Sequence, residues 1–377
     1  MRLHALRLLN FRNHEDTALD LGAGINALIG RNGQGKTNIL EAVSYFSLGK
    51  SFFAAADAQV VQYGHEFFEI TATLNDDAER PSQAHIAFSA SSGQKAVRIN
   101  GTPLDRISAI VGEYPAVLLS PDHGGIIGSG PAERRKFLDI VLCQTSSRYL
   151  ADLQEYRKVL RQRNRLLLDG RLHGSVSASA LEPWTQGLVQ YGSRIIEKRL
   201  QCVEAMRDGF ASSYAEIAGF TEPVALEYVT VRGVKSGHDI PAIASVMEEH
   251  LGTHRQLELR RGTTLVGPHR DDLAFMLRSR NAQEFASQGE HKTLLIALKL
   301  AEHRYMCETR NETPILLLDD VFAELDSERA SRVLGRLGET GQAVLTTTDP
   351  GVVASVPWNR HHRRFLIEGG TSTAQNP

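Results

Sequence analysis

Apolar and polar residues alternate in short runs over the first third of the chain. Leu3 to Phe11 and Gly24 to Ile29 read as strands, the second ending in a glycine-rich turn. From Thr37 the period becomes helical: Ile39, Val43 and Phe46 fall at i, i+4 and i+7, and Gly49 is a plausible stop. Phe67–Leu74, Gln83–Ala90 and Ala116–Ser120 are further strands, and Asn100-Gly101 between apolar runs predicts a hairpin. From Ser129 to about Phe210 the pattern is mostly helical. Tyr149, Leu153, Tyr156 and Leu160 form one stripe, and Trp184, Leu188, Tyr191 and Ile195 another. The Gly/Ser-rich stretch Leu172–Ala180 between them predicts a loop, so the two helices form an antiparallel arm. Val224–Val231 returns to strand. The last third predicts a helix at Gln283–Arg310, a strand at Ile315–Asp319, a helix at Glu328–Leu337 and strands at Ala343–Thr347 and Phe365–Ile367. The fully apolar Ile315–Leu318 suits the buried centre of a parallel sheet. Thr371–Pro377 has nothing to bury and is expected to be disordered.

Composition narrows the class. Of 377 residues, 42 are Lys or Arg and 44 Asp or Glu, a net charge of −2. That excludes a charged disordered tail and a protein that holds nucleic acid by bulk positive charge. No run approaches the ~20 apolar residues of a membrane span, and MRLHALRLLNFR lacks the pattern of a signal peptide. The three cysteines are far apart, and neither C-x-x-C nor H-E-x-x-H occurs, which argues against a disulfide framework or a zinc site. A cytoplasmic protein is expected. The charge is uneven: residues 131–170 carry nine basic side chains against five acidic ones. Arg157, Arg161 and Arg165 share a helix face there, and a solvated face is the commoner reading of such a run. A second cluster, Arg360 to Arg364, flanks the terminal strand.

The chemistry begins at Gly30-Arg31-Asn32-Gly33-Gln34-Gly35-Lys36-Thr37, which fits G-x-x-x-x-G-K-[ST] at every fixed position. Glycines let successive backbone N–H groups face phosphates, and the following helix points its positive end at them. Lys36 would reach the β- and γ-phosphates of ATP, and the Thr37 hydroxyl would bind Mg²⁺. The second site element is Ile315-Leu316-Leu317-Leu318-Asp319-Asp320, an apolar strand ending in two carboxylates. A buried strand can present an Asp only at its open C-terminal end. Asp319 suits Mg²⁺ through water, and Asp320 suits polarising the attacking water.

Asp319 to Asp326 resembles the Walker B and D-loop run of ABC-type ATPases, and Ala286-Ser287-Gln288-Gly289-Glu290 resembles their signature sequence. Ser287 and Glu290 also have the spacing of a helix capping box. Further runs narrow the resemblance to the RecF family. They are Asn10-Phe11-Arg12-Asn13, Ser120-Pro121-Asp122, Gly130-Pro131-Ala132-Glu133-Arg134-Arg135-Lys136-Phe137-Leu138-Asp139, Val266 to Asp272, and Thr346-Thr347-Thr348-Asp349. They stand in family order over about residues 3 to 349.

The resemblance implies an α/β fold: an ABC-type P-loop ATPase lobe with a mixed sheet, built from residues 1–122 and 263–377. A largely helical second lobe with the antiparallel arm, 123–262, is inserted between them. It implies an ATP-dependent homodimer with each ATP held between two chains. Arg12, the loop 30–37 and Asp319 of one chain would face Ser287, Gln288 and Gly289 of the other. It implies binding to gapped, single-stranded or junction DNA, with backbone contact by Arg157, Arg161 and Arg165, cooperation with RecO and RecR, and roles in repair, replication and the SOS response. Thr348 stands where transporter ATPases carry a γ-phosphate-contacting His, and Asp320 where they carry Glu, so slow, DNA-stimulated hydrolysis and a switch-like use of ATP are expected. Asp122 is the nearest candidate for their Q-loop glutamine. A transporter subunit and a small-molecule kinase are the rival readings. Lys36 and Ser287 are too far apart for the first, and the second explains neither the signature nor Ala323 to Asp326. The turn Gly267-Pro268-His269-Arg270-Asp271-Asp272 reads locally as structural. Its place in the family suggests the nucleotide or a lobe interface.

Overall fold

A computed structural model describes residues 1–54, 56–174, 177–338, 340–354, 356 and 358–375, with the backbone alone described at Asp122 and Glu324. The chain forms two compact units. The first takes Met1–Gly124, Ser212–Thr221 and Gln288–Pro377. The second takes Gly125–Ala211 and Glu222–Ser287.

The first unit holds β1 (Arg2–Phe11), β2 (His14–Asp20), β3 (Ile25–Ile29), α1 (Lys36–Leu48), β4 (Phe67–Asn75), β5 (Pro81–Ser89), β6 (Gln94–Ile99), β7 (Thr102–Pro103) and β8 (Ala116–Leu119). An antiparallel sheet runs β2-β1-β4-β5-β6-β7. The hairpin between β6 and β7 is the expected one, with both Asn100 and Gly101 at positive φ, as a type I′ turn requires. The helix α1 is buried nearly all round, from Ile39 to Leu48, because it packs among strands of both sheets of this unit. Phe11, Tyr45 and Phe68 meet edge to face there, their ring centroids 5.3–5.9 Å apart. Gly49 ends α1 at φ 68°, the predicted stop.

The second unit is mainly helical: α2 (Gly125–Gly128), α3 (Pro131–Thr145), α4 (Ser147–His173) and α5 (Ala178–Ala218), whose last turns belong to the first unit. Then come β9 (Val224–Val229), α6 (Ile240–Arg261), β10 (Asp272–Leu277), β11 (Arg280–Asn281) and α7 (Ala282–Phe285). The helices α4 and α5 form the antiparallel arm. Tyr149 meets Arg199, Asp152 meets Arg194, and Arg163 meets Thr185, so one number falls as the other rises. Ser175 and Val176 of the predicted loop lie outside the described residues, and Ala178–Ala180 have joined α5.

The chain returns to the first unit with α8 (Gln288–Arg310), β12 (Ile315–Leu318), α9 (Ser327–Leu337), β13 (Ala343–Thr347), α10 (Pro350–Ala354), β14 (Arg363–Glu368) and β15 (Thr371–Gln375). The second sheet runs β15-β14-β3-β13-β12-β8, parallel except for β15. Every residue of β12 and β13 is buried, as their apolar runs predict.

Three expectations change. The tail to Gln375 is a strand, zipped antiparallel to β14 and tied by the Ser372 hydroxyl to the Ala18 carbonyl at 2.8 Å; Asn376 and Pro377 lie outside the described residues. The strand rests on β14 rather than on apolar burial, so its composition hid it. The predicted Gln283–Arg310 helix breaks at Ala286, whose extended backbone separates α7 from α8. The strand β2 and the helix α6 were not predicted. The polar residues of β2 alternate around buried His14, Thr17 and Leu19, and the buried apolar side chains of α6 are a thin stripe of Ile243, Met247 and Leu251.

Candidate nucleotide site

The strand order explains the site. The loop 30–37 follows β3, and Asp319 follows β12, with β13 lying between them. A polar residue at the open end of β13 can therefore reach the end of β12, and Thr346 does. Its hydroxyl donates to Asp319 Oδ1 at 2.8 Å and accepts the Asp320 N–H at 2.9 Å. The Thr37 hydroxyl, 282 residues away in sequence, donates to the same Asp319 Oδ1 at 2.8 Å. Asp320 turns the chain at φ 48°, a left-handed conformation that Asp tolerates better than most side chains.

Lys36 donates to the carbonyls of Gly30 at 2.7 Å and Arg31 at 2.8 Å. Burial draws its pKa below the ordinary lysine value, opposed by the charges of Asp320 and Asp319. Its hydrogen-bond partners are thus neutral oxygens, and its positive charge remains free to meet an anion. Asn32, Gly33, Gly35, Lys36, Thr37, Asp319, Asp320 and Thr346 line one cavity of about 150 Å³. A hydroxyl and a carboxylate side by side are hard oxygen donors of the kind Mg²⁺ takes, so Thr37 and Asp319 fit that ion.

The loop is braced from two sides. The side chain of Asn13 donates to the Gln34 carbonyl at 3.0 Å and accepts from Asn38 at 2.7 Å. The glycine pair Gly369-Gly370, both at positive φ, turns β14 into β15. Its N–H groups reach Gln34 Oε1 at 2.7 Å and the Gln34 carbonyl at 3.1 Å. Buried His14 lies between the Gly35 and Gly370 carbonyls, 3.1 and 2.8 Å from its two ring nitrogens, and burial lowers its pKa. A Cβ on Gly35 would come within 2.6 Å of Asn13, and one on Gly370 within 2.0 Å of the Asn13 carbonyl. Sequence reading missed His14 and the glycine pair. The Gly-Gly turn was the signal available, as it marks a hairpin.

The other sequence candidates lie elsewhere. Arg12 forks onto Glu41 at 2.8 and 2.7 Å and donates to the Gln59 carbonyl at 3.0 Å. Ser287 ends the second unit, while Gln288 and Gly289 open α8 in the first, and none of the three lines the 150 Å³ cavity. Thr348 is exposed just past β13. The side chain of Asp122 lies outside the described residues. Arg157, Arg161 and Arg165 are exposed on α4, whereas Arg134 and Arg163, counted in the same basic window, are internal. Arg134 forks onto Asp272 at 2.6 and 2.9 Å, and Arg163 meets buried Glu258 at 2.7 Å. The turn at Gly267 packs against Tyr156, whose hydroxyl lies 2.6 Å from His269 Nδ1.

The family described as "RecF/RecN/SMC N terminal domain" matches residues 2–372. A DNA replication and repair protein RecF of Chloroherpeton thalassium is 42% identical, over 98% of this chain and 100% of that protein. One of Salinibacter ruber is 39% identical, over 99% and 92%. Among solved structures, the recombination mediator protein RecF with ATP, of the RecFOR pathway, superposes with a TM-score of 0.89 at 30% identity, covering 99% of this chain and 97% of that one. An Smc head domain from Pyrococcus furiosus shares the fold at a TM-score of 0.57 and 15% identity. The transporter-subunit and kinase readings give way to this full-length likeness. Among the described residues no helix is long and apolar enough to cross a membrane. With its phosphate loop, its Asp-ended central strand and its hallmarks in order over nearly the whole chain, the protein belongs to the RecF family of DNA replication and repair proteins.

Proposed function

We propose that the chain is an ATP-dependent DNA-binding protein of recombinational repair and replication restart, in which ATP closes a homodimer and slow hydrolysis reopens it. The observation that carries this is the convergence of the Thr37 and Thr346 hydroxyls on one Asp319 oxygen beside Lys36. Lys36 exchanges the Gly30 and Arg31 carbonyls for the β- and γ-phosphates. The loop amides, with the N-terminus of α1, hold the remaining phosphate oxygens. Thr37 and Asp319 hold Mg²⁺, which neutralises phosphate charge when bound. Asp320, one methylene shorter than Glu, takes the water-polarising role weakly. Ser287, Gln288 and Gly289 meet the γ-phosphate bound to the second copy, and Arg12 belongs to the nucleotide's surroundings. The relatives' names support the repair and replication role, and RecO and RecR are the proposed partners. The exposed Arg157, Arg161 and Arg165 are proposed to meet the DNA backbone without reading sequence.

Lys36→Met should weaken ATP binding on the order of a hundredfold in calorimetry. Unchanged affinity would remove the site. Ser287→Arg should leave ATP binding by the monomer intact and abolish ATP-dependent dimers in sedimentation. Normal dimerisation would end the shared-site reading.

A further inference from the structure

We propose that a basic cavity in the second unit, between α3, α4, α5 and the Gly267–Asp272 turn, holds a phosphate of the nucleic-acid backbone. This rests on the DNA-binding reading above. The two hallmark runs that the nucleotide site leaves without a task, Gly130–Asp139 and Val266–Asp272, both line it.

The cavity has a volume of about 300 Å³, at the small end of ligand sites. Four cations line it, Arg135, Lys136, Arg157 and Arg199, against one carboxylate, Asp139. That carboxylate is shared, with Arg199 at 2.7 Å on one oxygen and Arg157 at 3.0 Å on the other. Arg135 donates to the neutral Asp271 carbonyl at 2.7 Å. Lys136 is 60% exposed and 3.7 Å from Glu133. Positive charge therefore exceeds negative at this wall. Burial draws the Arg135 pKa below the ordinary arginine value, and the charge of Arg199 adds to that while Asp272, Asp271 and Asp139 oppose it.

The site is built before any ligand arrives. Arg199 is 3% exposed and is held by the Tyr149 hydroxyl at 3.0 Å and the Pro268 carbonyl at 2.8 Å as well as by Asp139. The turn that supplies Pro268 is itself fixed. Gly267 sits at φ +126°, where a Cβ would lie 2.6 Å from the Tyr156 hydroxyl. Leu153, Leu160 and Ile195 give the cavity an apolar side. An apolar side with a cationic mouth suits a sugar-phosphate better than a bare anion. The mouth also continues outward. Arg161 and Arg165 extend the exposed row begun by Arg157 along α4, covering about 12 Å at 1.5 Å per residue. A linear polyanion uses such a row, whereas a free phosphate does not.

The test is fluorescence anisotropy of a labelled gapped duplex with the full chain and ATP, across a series of KCl concentrations. Lys136→Ala with Arg157→Ala should weaken binding at least tenfold and flatten the slope of log K against log salt by about two. Arg157→Lys should keep the wild-type slope. Both rim side chains are exposed, so melting temperature and ATP affinity should match wild type. An unchanged slope in the double variant, with wild type binding DNA, overturns the cavity assignment and the backbone contact of Arg157, and leaves the DNA-binding reading itself standing. Failure of wild type to bind DNA overturns the DNA reading and this proposal together. Calorimetry with inorganic phosphate provides the last arm. Phosphate heat lost in the double variant while DNA binding stays intact reassigns the cavity to a free anion and overturns the proposal.

Discussion

Lys36 in the first unit and Arg199 in the second are both buried cations with Asp residues close by, yet their surroundings oppose each other. Lys36 donates to two backbone carbonyls, beside an open cavity of about 150 Å³. Arg199 has a carboxylate, a carbonyl and a tyrosine hydroxyl at hydrogen-bond distance. Below it Tyr228 donates to Asp271, whose carboxyl burial pushes up to about 6. Neutral partners leave a charge available to a ligand. A carboxylate partner cancels it and turns the same chemistry into architecture. The basic cavity stands between these cases, because its rim cations outnumber the one acid that a buried arginine already shares.

Substitutions can break this contrast. Arg199→Met should have the largest effect. It leaves half-buried Asp139 with only the exposed Arg157 and takes the buried positive charge away from Asp271, and a loss of roughly 3 kcal/mol is expected in urea unfolding. ATP affinity of the remaining folded protein should hold. A stable Arg199→Met would mean that the network contributes little to the fold.

Acid should come next. The fold keeps His269 and His303 neutral down to about pH 4, through burial first, while the unfolded chain protonates them near 6.5. Protons therefore favour the unfolded state as pH falls through that window. Asp271 acts in the opposite sense, being protonated near 6 when folded and near 3.8 when unfolded. Two histidines outweigh one carboxyl, so stability should fall by roughly 3 kcal/mol between pH 6.5 and 4. Urea midpoints across that range check it, and a rising midpoint would contradict the neutral histidines.

Asp319→Ala should behave as the mirror image of Arg199→Met. Melting should barely change, while ATP affinity in the presence of Mg²⁺ drops on the order of a hundredfold in calorimetry. The smallest effect is expected at Gly370→Ala, which adds a Cβ 2.0 Å from the Asn13 carbonyl at φ +80°. It should cost about 1–3 kcal/mol and weaken ATP binding about tenfold by loosening the brace on Gln34. If affinity holds while stability falls, the terminal hairpin supports the fold and not the loop.

Much of the nucleotide site was legible because its requirements are local. A loop that wraps phosphate needs glycines next to Lys36 and Thr37, and a buried strand can expose Asp319 only at its end. Both are properties of adjacent residues. The brace was not legible, since Gln34 and Gly370 are distant in sequence and the tail carries no apolar pattern. Thr346 was seen only as part of a run, because its role depends on β13 lying between β3 and β12. In the basic window, charge counting could not tell exposed Arg157 from Arg163, which is spent on Glu258.

By itself the sequence determined most element types, though not β2, α6 or β15, and with them the α/β class, the phosphate loop and the family, since period, turn chemistry and motif spacing are properties of short stretches. Only the tertiary structure decided which charges cancel. Helix pairing brings a carboxylate 60 residues away to Arg199, while the turn of its own loop leaves Lys36 only the carbonyls of Gly30 and Arg31, and whether a buried cation is armed or satisfied depends on what lies within 3 Å of it in space.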